Sequence, residues 1–235
     1  MPIKIPSLLE MIKAGVHFGH RTSKWHPKME PYIYTVKNTV HLINLEKTQE
    51  KLKEALDFVK EVMEKNGVIL FLGTKKTIKE VTKKYAEKVN MPYINEKWIG
   101  GTMTNFSVIS RLIKKLKDLE NKKEKGEFAK YAKKEQSKFN TEIEKLNKVI
   151  KGIKNLDKLP EAIFMLDTKD EKTAIREAKK LKLPTIGIVD TNCNPEEAVY
   201  PIPANDDAIK SVEMITNLVA QAIEEGRKVT PEASS

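Results

Sequence analysis

Val68-Ile69-Leu70-Phe71-Leu72, followed by Gly73-Thr74-Lys75-Lys76, is the stretch that decides the fold class. Five consecutive apolar residues without polar alternation suit a strand buried on both faces, and such strands belong to parallel sheets covered by helices. A helical pattern over 77–89 follows at once. Working outward, the same alternation returns. Upstream, 47–65 reads as an amphipathic helix with Leu52, Leu56, Val59 and Met63 inward, stopped by Gly67. Downstream come a short strand at Pro92-Tyr93-Ile94, an apolar run over 162–166 ending in Asp167-Thr168, and a helix over 172–181. Another strand over 185–189 ends in Asp190-Thr191-Asn192. Tyr200-Pro201-Ile202-Pro203 is an edge segment, because its prolines cannot serve a central ladder. Asn205 is then set to cap a last helix over 206–225. Strands alternating with helices imply right-handed βαβ units and a parallel sheet of about five strands.

The amino-terminal part is less regular. Ser7 with Glu10 three residues later predicts a capped helix over 7–14, closed by Gly15. Residues 32–36 and 40–45 read as two short strands around a Lys37-Asn38 turn. Between the helix and these strands, residues 15–28 read as an irregular loop holding three of the chain's four histidines, one of its two tryptophans and several cations. Such groups stack on bases and pair with phosphates; the structural alternative is a loop anchored on the body by Trp25.

Residues 107–158 interrupt the α/β alternation with a different period. Ile109, Leu112, Leu116 and Leu119, then Phe128, Ala132, Phe139, Ile143, Leu146, Ile150 and Ile153, keep a beat of three and four positions, with Gly126 between the two runs offering the positive φ of a helix end. This predicts two antiparallel helices zipped as a coiled-coil hairpin. The organisation expected is an α/β body formed by 1–106 and 159–227, the hairpin at 107–158, and a disordered tail at 228–235. The hairpin holds 16 Lys/Arg against 8 Asp/Glu, so it carries +8 of the chain's formal +10.

At 235 residues the chain can bury one good core. Its sequence pI near 9.4 points to an anionic partner, most simply nucleic acid. No apolar run approaches the roughly 20 residues that span a bilayer, and the start Met1-Pro2-Ile3-Lys4 has no signal-peptide core, so a cytoplasmic location and no membrane partner are expected. The single cysteine, Cys193, suits a reducing compartment and sits in a loop with no adjacent base to activate it.

Catalytic patterns are missing: there is no G-x-S-x-G, H-E-x-x-H or C-x-x-C, and no catalytic residue or small-molecule substrate is assigned. Three places remain. Gly73-Thr74-Lys75-Lys76 joins a buried strand to a helix, where backbone N–H groups bind phosphate, but it lacks a Walker or G-x-G-x-x-G pattern; it is a plain turn whose Lys75 and Lys76 reach an RNA backbone, or else a nucleotide site. Lys97-Trp98-Ile99-Gly100-Gly101-Thr102-Met103-Thr104-Asn105-Phe106 offers a backbone nest for a phosphate or, more simply, a glycine hinge anchored by Trp98. Asp167, Asp190, Asp206 and Asp207 follow strand ends or open a helix; strand ends share one rim, so these carboxylates, with His17 or His20, form a divalent-metal candidate against the alternative of turn and cap chemistry.

Taken together, Gly15-Val16-His17-Phe18-Gly19-His20, Trp25-His26-Pro27-Lys28-Met29, Tyr32-Ile33-Tyr34, Leu70-Phe71-Leu72-Gly73-Thr74-Lys75, Trp98-Ile99-Gly100-Gly101-Thr102-Met103-Thr104-Asn105-Phe106, Asp190-Thr191-Asn192 and Ile202-Pro203-Ala204-Asn205-Asp206-Asp207-Ala208-Ile209 stand in an order and spacing that resembles bacterial small-subunit ribosomal proteins of the number-two family, over nearly the whole chain. The resemblance implies a flavodoxin-like open sheet with helices on both faces and an inserted coiled-coil hairpin. It also implies a non-enzymatic role in translation: a ribonucleoprotein constituent that binds small-subunit rRNA and supports docking of neighbouring ribosomal proteins, the OB-repeat mRNA-binding one among them. No cofactor is required on this reading. A divalent metal, zinc or magnesium, is implied at His20, Asp190 and one of Asp206 and Asp207. Lys97 stands where the family usually has arginine, which removes a bidentate phosphate clamp, and Cys193-Asn194-Pro195-Glu196 departs from a Ser-Asp-Pro-Asp type of loop.

The expected RNA contacts are therefore Arg21, Lys24, Trp25, His26 and Lys28 in the first loop, Lys75 and Lys76 after the decisive strand, Lys97, Thr104 and Asn105 at the hairpin's root, and Arg111, Lys114 and Lys115 on its first helix. Two other classes compete: a nucleotide-binding enzyme or sensor at Gly73-Thr74-Lys75, tested by calorimetry with a nucleotide panel, and a protein-docking coiled coil, tested by deleting 119–145.

Overall fold

A computed structural model describes residues 3–229. Ser7 caps α1 (Leu8–Ala14) as its sequence predicts: the Glu10 amide donates to the Ser7 hydroxyl, and the Ser7 amide donates to the Glu10 carboxylate at 2.7 Å. Gly15 ends the helix with φ 77°. Three strands follow, β1 (Phe18–Arg21), β2 (Ile33–Lys37) and β3 (Val40–Ile43), in an antiparallel sheet of order β1-β3-β2. β2 and β3 are the expected pair. β1 lies where the sequence reads as irregular, because Gly19, His20 and Arg21 carry no apolar alternation; its pairing comes from the β3 backbone instead.

The remaining elements are α2 (Leu45–Glu64), β4 (Ile69–Leu72), α3 (Lys79–Lys88), β5 (Tyr93–Ile94), α4 (Phe106–Glu124), α5 (Lys133–Ile150), β6 (Ala162–Met165), α6 (Lys172–Lys180), β7 (Thr185–Val189), β8 (Tyr200–Pro203) and α7 (Ile209–Val229). β4 to β8 form a five-stranded parallel sheet of order β5-β4-β6-β7-β8. Counted within the sheet this is 2-1-3-4-5, one of the common doubly wound orders. The decisive run behaves as its composition demands: all four residues of β4 are buried, alternate ones on opposite faces. Ile69 and Phe71 pack with Phe164, Ile188 and residues of α2, α3 and α7, whereas Leu70 and Leu72 pack with Ile163, Met165 and residues of α4, α5 and α6. Phe71 and Phe164 sit in register and their rings meet edge to face, centroids 5.4 Å apart. The proline-bearing β8 is an edge strand, as expected.

Both ends of the last helix move. Asn205 accepts hydrogen bonds from the Asp207 and Ala208 amides at 2.9 and 3.1 Å, so it closes a turn and the last helix begins three residues later than Asp206. That helix runs to Val229, two residues into the stretch 228–235 expected to be a tail; residues 230–235 lie outside the described residues.

Residues 107–158 form two helices, with Gly126 at φ 69° between them as expected. Lys115 pairs with Glu142, Asn147 donates to Glu120 at 2.9 Å, and Phe139 of α5 stacks on Phe128, which follows α4, with ring centroids 4.9 Å apart. The seam does not stand apart from the body. Ile109, Ile113, Leu116 and Ile150 share one buried cluster with Leu70, Leu72 and Met165 of the sheet. Among the described residues no helix is long and apolar enough to cross a membrane.

Candidate nucleic-acid interface and the acidic rim

The carboxyl ends of β4, β6, β7 and β8 lead into Gly73, Asp167, Asp190 and Asp206, and the topology brings these together as a parallel sheet should. Asp190 is fully buried, with one oxygen accepting from the Thr191 amide and hydroxyl and the other from the Asp206 amide. His20, on β1, lies over the rim: its Nδ1 is 3.0 Å from Asp190 and its Nε2 is 3.3 Å from Asp207. The first contact is an electrostatic pairing off the N–H direction. Asp190 chiefly raises the His20 pKa, against the opposing effect of burial. His17 is pushed the other way by burial.

Lys75 does something its sequence position did not reveal. Its ammonium lies 2.6 Å from Asp207, 3.0 Å from Asp206 and 3.6 Å from Asp167. Burial would lower its pKa, but these carboxylates outweigh it and hold the ammonium above the ordinary lysine range. Burial, with Asp167 and Asp190 close by, pushes Asp206 up to about 7, while Lys75 holds Asp207 low. Lys76, next door, is exposed.

Both loops read as phosphate cradles are built, and each already holds an anion of the protein's own. At the β4 turn, Thr74 donates its amide and hydroxyl to Glu171, at 3.0 and 2.7 Å. At the root of α4, Glu177 takes the nest: Trp98 Nε1, the Gly101, Met103 and Thr104 amides and the Thr104 hydroxyl all donate to it within 3.2 Å. Burial works against this carboxylate, but those donors prevail and hold it below the usual range. Glu177 and Glu171 belong to α6 and its start, more than 70 residues from the loops they fill, so no local pattern could have found them. Lys97, Thr104 and Asn105 remain exposed around the filled nest.

The first loop is fixed to the rim by Thr191: its hydroxyl accepts from the His20 amide at 2.7 Å and its carbonyl from the His26 amide at 2.7 Å. Arg21 and Lys24 project outward, Lys28 pairs with Glu196, and Trp25 lies half-buried against His41, ring centroids 5.2 Å apart. Arg111, Lys114 and Lys115 lie exposed on α4, the last paired with Glu142. Thus His20, Lys75 and the aspartates come together, whereas no described hydrogen bond or ion pair joins the first loop to Lys97 or to the lysines of α4. Cys193 is buried, and burial pushes its thiol up to about 12, which leaves it unreactive.

Comparison with known proteins is decisive. The family model described as Ribosomal protein S2 matches residues 11–226. The chain is also 45% identical over 224 residues to the protein named Small ribosomal subunit protein uS2 of Coprothermobacter proteolyticus, covering 95% of this chain and 84% of that one. The chain belongs to the ribosomal protein S2 family. Members of the S2 family are structural, non-enzymatic parts of the small ribosomal subunit of the bacterial cytoplasm.

For an S2 family member the implied divalent metal can be tested against the rim. A metal needs lone pairs converging on one point. Here His20 Nε2 faces Asp207 and its Nδ1 lies 3.0 Å from Asp190 off the N–H direction, both Asp190 oxygens already accept hydrogen bonds, and an ammonium sits among the other carboxylates. Among the described residues no group of three or more His, Cys, Asp or Glu is arranged to hold a metal ion. The residues as placed do not fit the metal.

Proposed function

We propose that the chain, as a structural constituent of the small subunit in the cytoplasmic ribosome, holds rRNA by phosphate and stacking contacts. The contacting groups are Arg21, Lys24, Trp25, His26 and Lys28 in the first loop, Lys76 at the start of α3, Lys97, Thr104 and Asn105 around the filled nest, and Arg111, Lys114 and Lys115 on α4. Lys75, named for this role from sequence, is assigned to the rim. The observation that carries the reading is the first loop: exposed cations and a half-buried tryptophan sit on a backbone clamped at two points to Thr191, so little ordering is left to do when RNA arrives. Contacts of this kind position the protein and confer salt dependence more than sequence choice.

The helices of 107–158 act, on this reading, as an inserted arm whose root meets RNA and whose tip, around 124–131, meets a neighbouring protein, an OB-repeat mRNA-binding protein being the proposed one. Mixed charge and the exposed Tyr131 at that tip support it. Charge reversal at Lys125 and Lys130 separates the roles: protein docking weakens while rRNA affinity holds.

The test is the affinity for purified small-subunit rRNA across a salt series. A linear fall of log affinity with log salt is expected, and removing one phosphate-contacting cation such as Lys24 lowers the slope by about 1. Affinity indifferent to salt contradicts the reading.

A further inference from the structure

Against the first loop lies a histidine that neither the loop's cations nor the acidic rim engages. His41, on β3, is 7% exposed, and both of its ring nitrogens are buried without a hydrogen-bond partner. Its ring lies against the half-buried indole of Trp25, tilted by 34° with centroids 5.2 Å apart. A neutral imidazole presents one donor and one acceptor. Leaving both unmet away from water is costly, so such a group in a native fold calls for a partner.

The surroundings limit what has to move for a partner to arrive. The Thr22 amide donates to the Thr39 carbonyl at 2.9 Å, and the His26 amide donates to the Thr191 carbonyl at 2.7 Å. The loop backbone is therefore tied on both sides of Trp25, and the indole swings about its own side-chain bonds while the loop keeps its place. Arg21 and Lys24, both exposed, precede it in the same loop. The chemistry then selects the partner. Phosphate oxygens only accept, so a phosphate leaves the acceptor nitrogen of a neutral His41 unmet. An unpaired nucleotide offers donors and acceptors in its 2′-hydroxyl and base edge, and its base stacks on an aromatic ring.

We propose that Trp25 and His41 together form a pocket for one unpaired rRNA nucleotide. The indole turns outward and stacks on the base, and the uncovered imidazole exchanges hydrogen bonds with that nucleotide's base edge and 2′-hydroxyl. The inference rests on the reading that the first loop meets rRNA, and adds to it a residue that meets a nucleotide instead of a phosphate.

The test uses the full-length chain and purified small-subunit rRNA. Affinity is measured across a salt series, and the reactivity of RNA bases and 2′-hydroxyls toward chemical probes is measured with and without protein. The wild type is expected to shield at least one unpaired nucleotide; a footprint without one overturns the proposal before any variant is made. His41→Phe keeps an aromatic ring against Trp25 and removes both nitrogens. It is expected to bind about tenfold more weakly, as the loss of one or two hydrogen bonds implies. It should also leave that nucleotide reactive and keep the salt slope, because no phosphate contact is lost. His41→Gln, which returns a donor and an acceptor, is expected to recover most of the affinity and the shielding. Wild-type affinity and footprint in His41→Phe, an equal loss in both variants, or a salt slope that falls in His41→Phe overturns the proposal. A wild type whose affinity is indifferent to salt contradicts instead the phosphate-contact reading of the first loop.

Discussion

Glu177 is the residue on which the chain's best-defined loop depends. Five donors from the segment 98–104 converge on its carboxylate, Trp98 and Met103 among them, and both of those residues are buried. Glu177→Gln keeps the shape and replaces one accepting oxygen with an N–H pair that faces other donors. A loss of about 2–3 kcal/mol in unfolding free energy follows, because buried donors are left unmet, and a chain of this size should lose about 4–12 °C in Tm. The pH dependence has a definite sign. The folded carboxylate is held below its ordinary value, so its stabilisation is present above the unfolded pKa of about 4.3 and is lost as pH falls through the lower folded value. Denaturant unfolding from pH 7 to pH 3 should show the wild type's advantage over Glu177→Gln narrowing only below about pH 4. An advantage that is constant down to pH 3 would rule out this charged cradle.

At the scale of elements, α4 shows both what patterning reveals and where it stops. The three-and-four spacing of Ile109, Leu112, Leu116 and Leu119 named the inward face: Leu112 is half-buried and the other three are buried. It did not say what that face meets, because a hydrophobic seam is indifferent to whether its partner is a second helix or a sheet; here it meets both. Leu116→Ala should cost about 2–5 kcal/mol, the range for emptying a fully buried leucine site, measured by chemical denaturation. Lys114→Ala, two residues away and so on the opposite, exposed face, should leave stability within about 0.5 kcal/mol while lowering the salt slope of rRNA binding. The rim was legible in the same partial way. A parallel sheet places strand-end aspartates on one edge whatever their sequence separation, so their convergence could be read. The ammonium of Lys75 among them could not, since its turn carries the same residues whether a lysine reaches outward to RNA or inward to carboxylates. β1 escaped notice for a related reason: a strand held by backbone pairing to a neighbour needs no alternation of its own.

For the whole molecule, charge and fold divide the work. Part of the five-stranded body's chemistry is inward: glutamates of α6 and its start fill two loops, and Lys75 neutralises the rim. Among the outward cations, those of the first loop and the α4 face are the ones proposed to meet rRNA. The net charge of +10 pointed to an anionic partner, and most of it lies in 107–158, whereas the first loop sets three exposed cations on a clamped backbone. The most direct measurement is co-sedimentation with small ribosomal subunits through a high-salt gradient, comparing wild type with a variant carrying Arg21→Ala, Lys24→Ala and Lys28→Ala. All three positions are exposed, so the variant should fold, as a matching thermal midpoint would confirm. The wild type is predicted to stay with the particle and the triple variant to be lost from it; a triple variant retained as fully as the wild type would contradict the assignment of the first loop to rRNA.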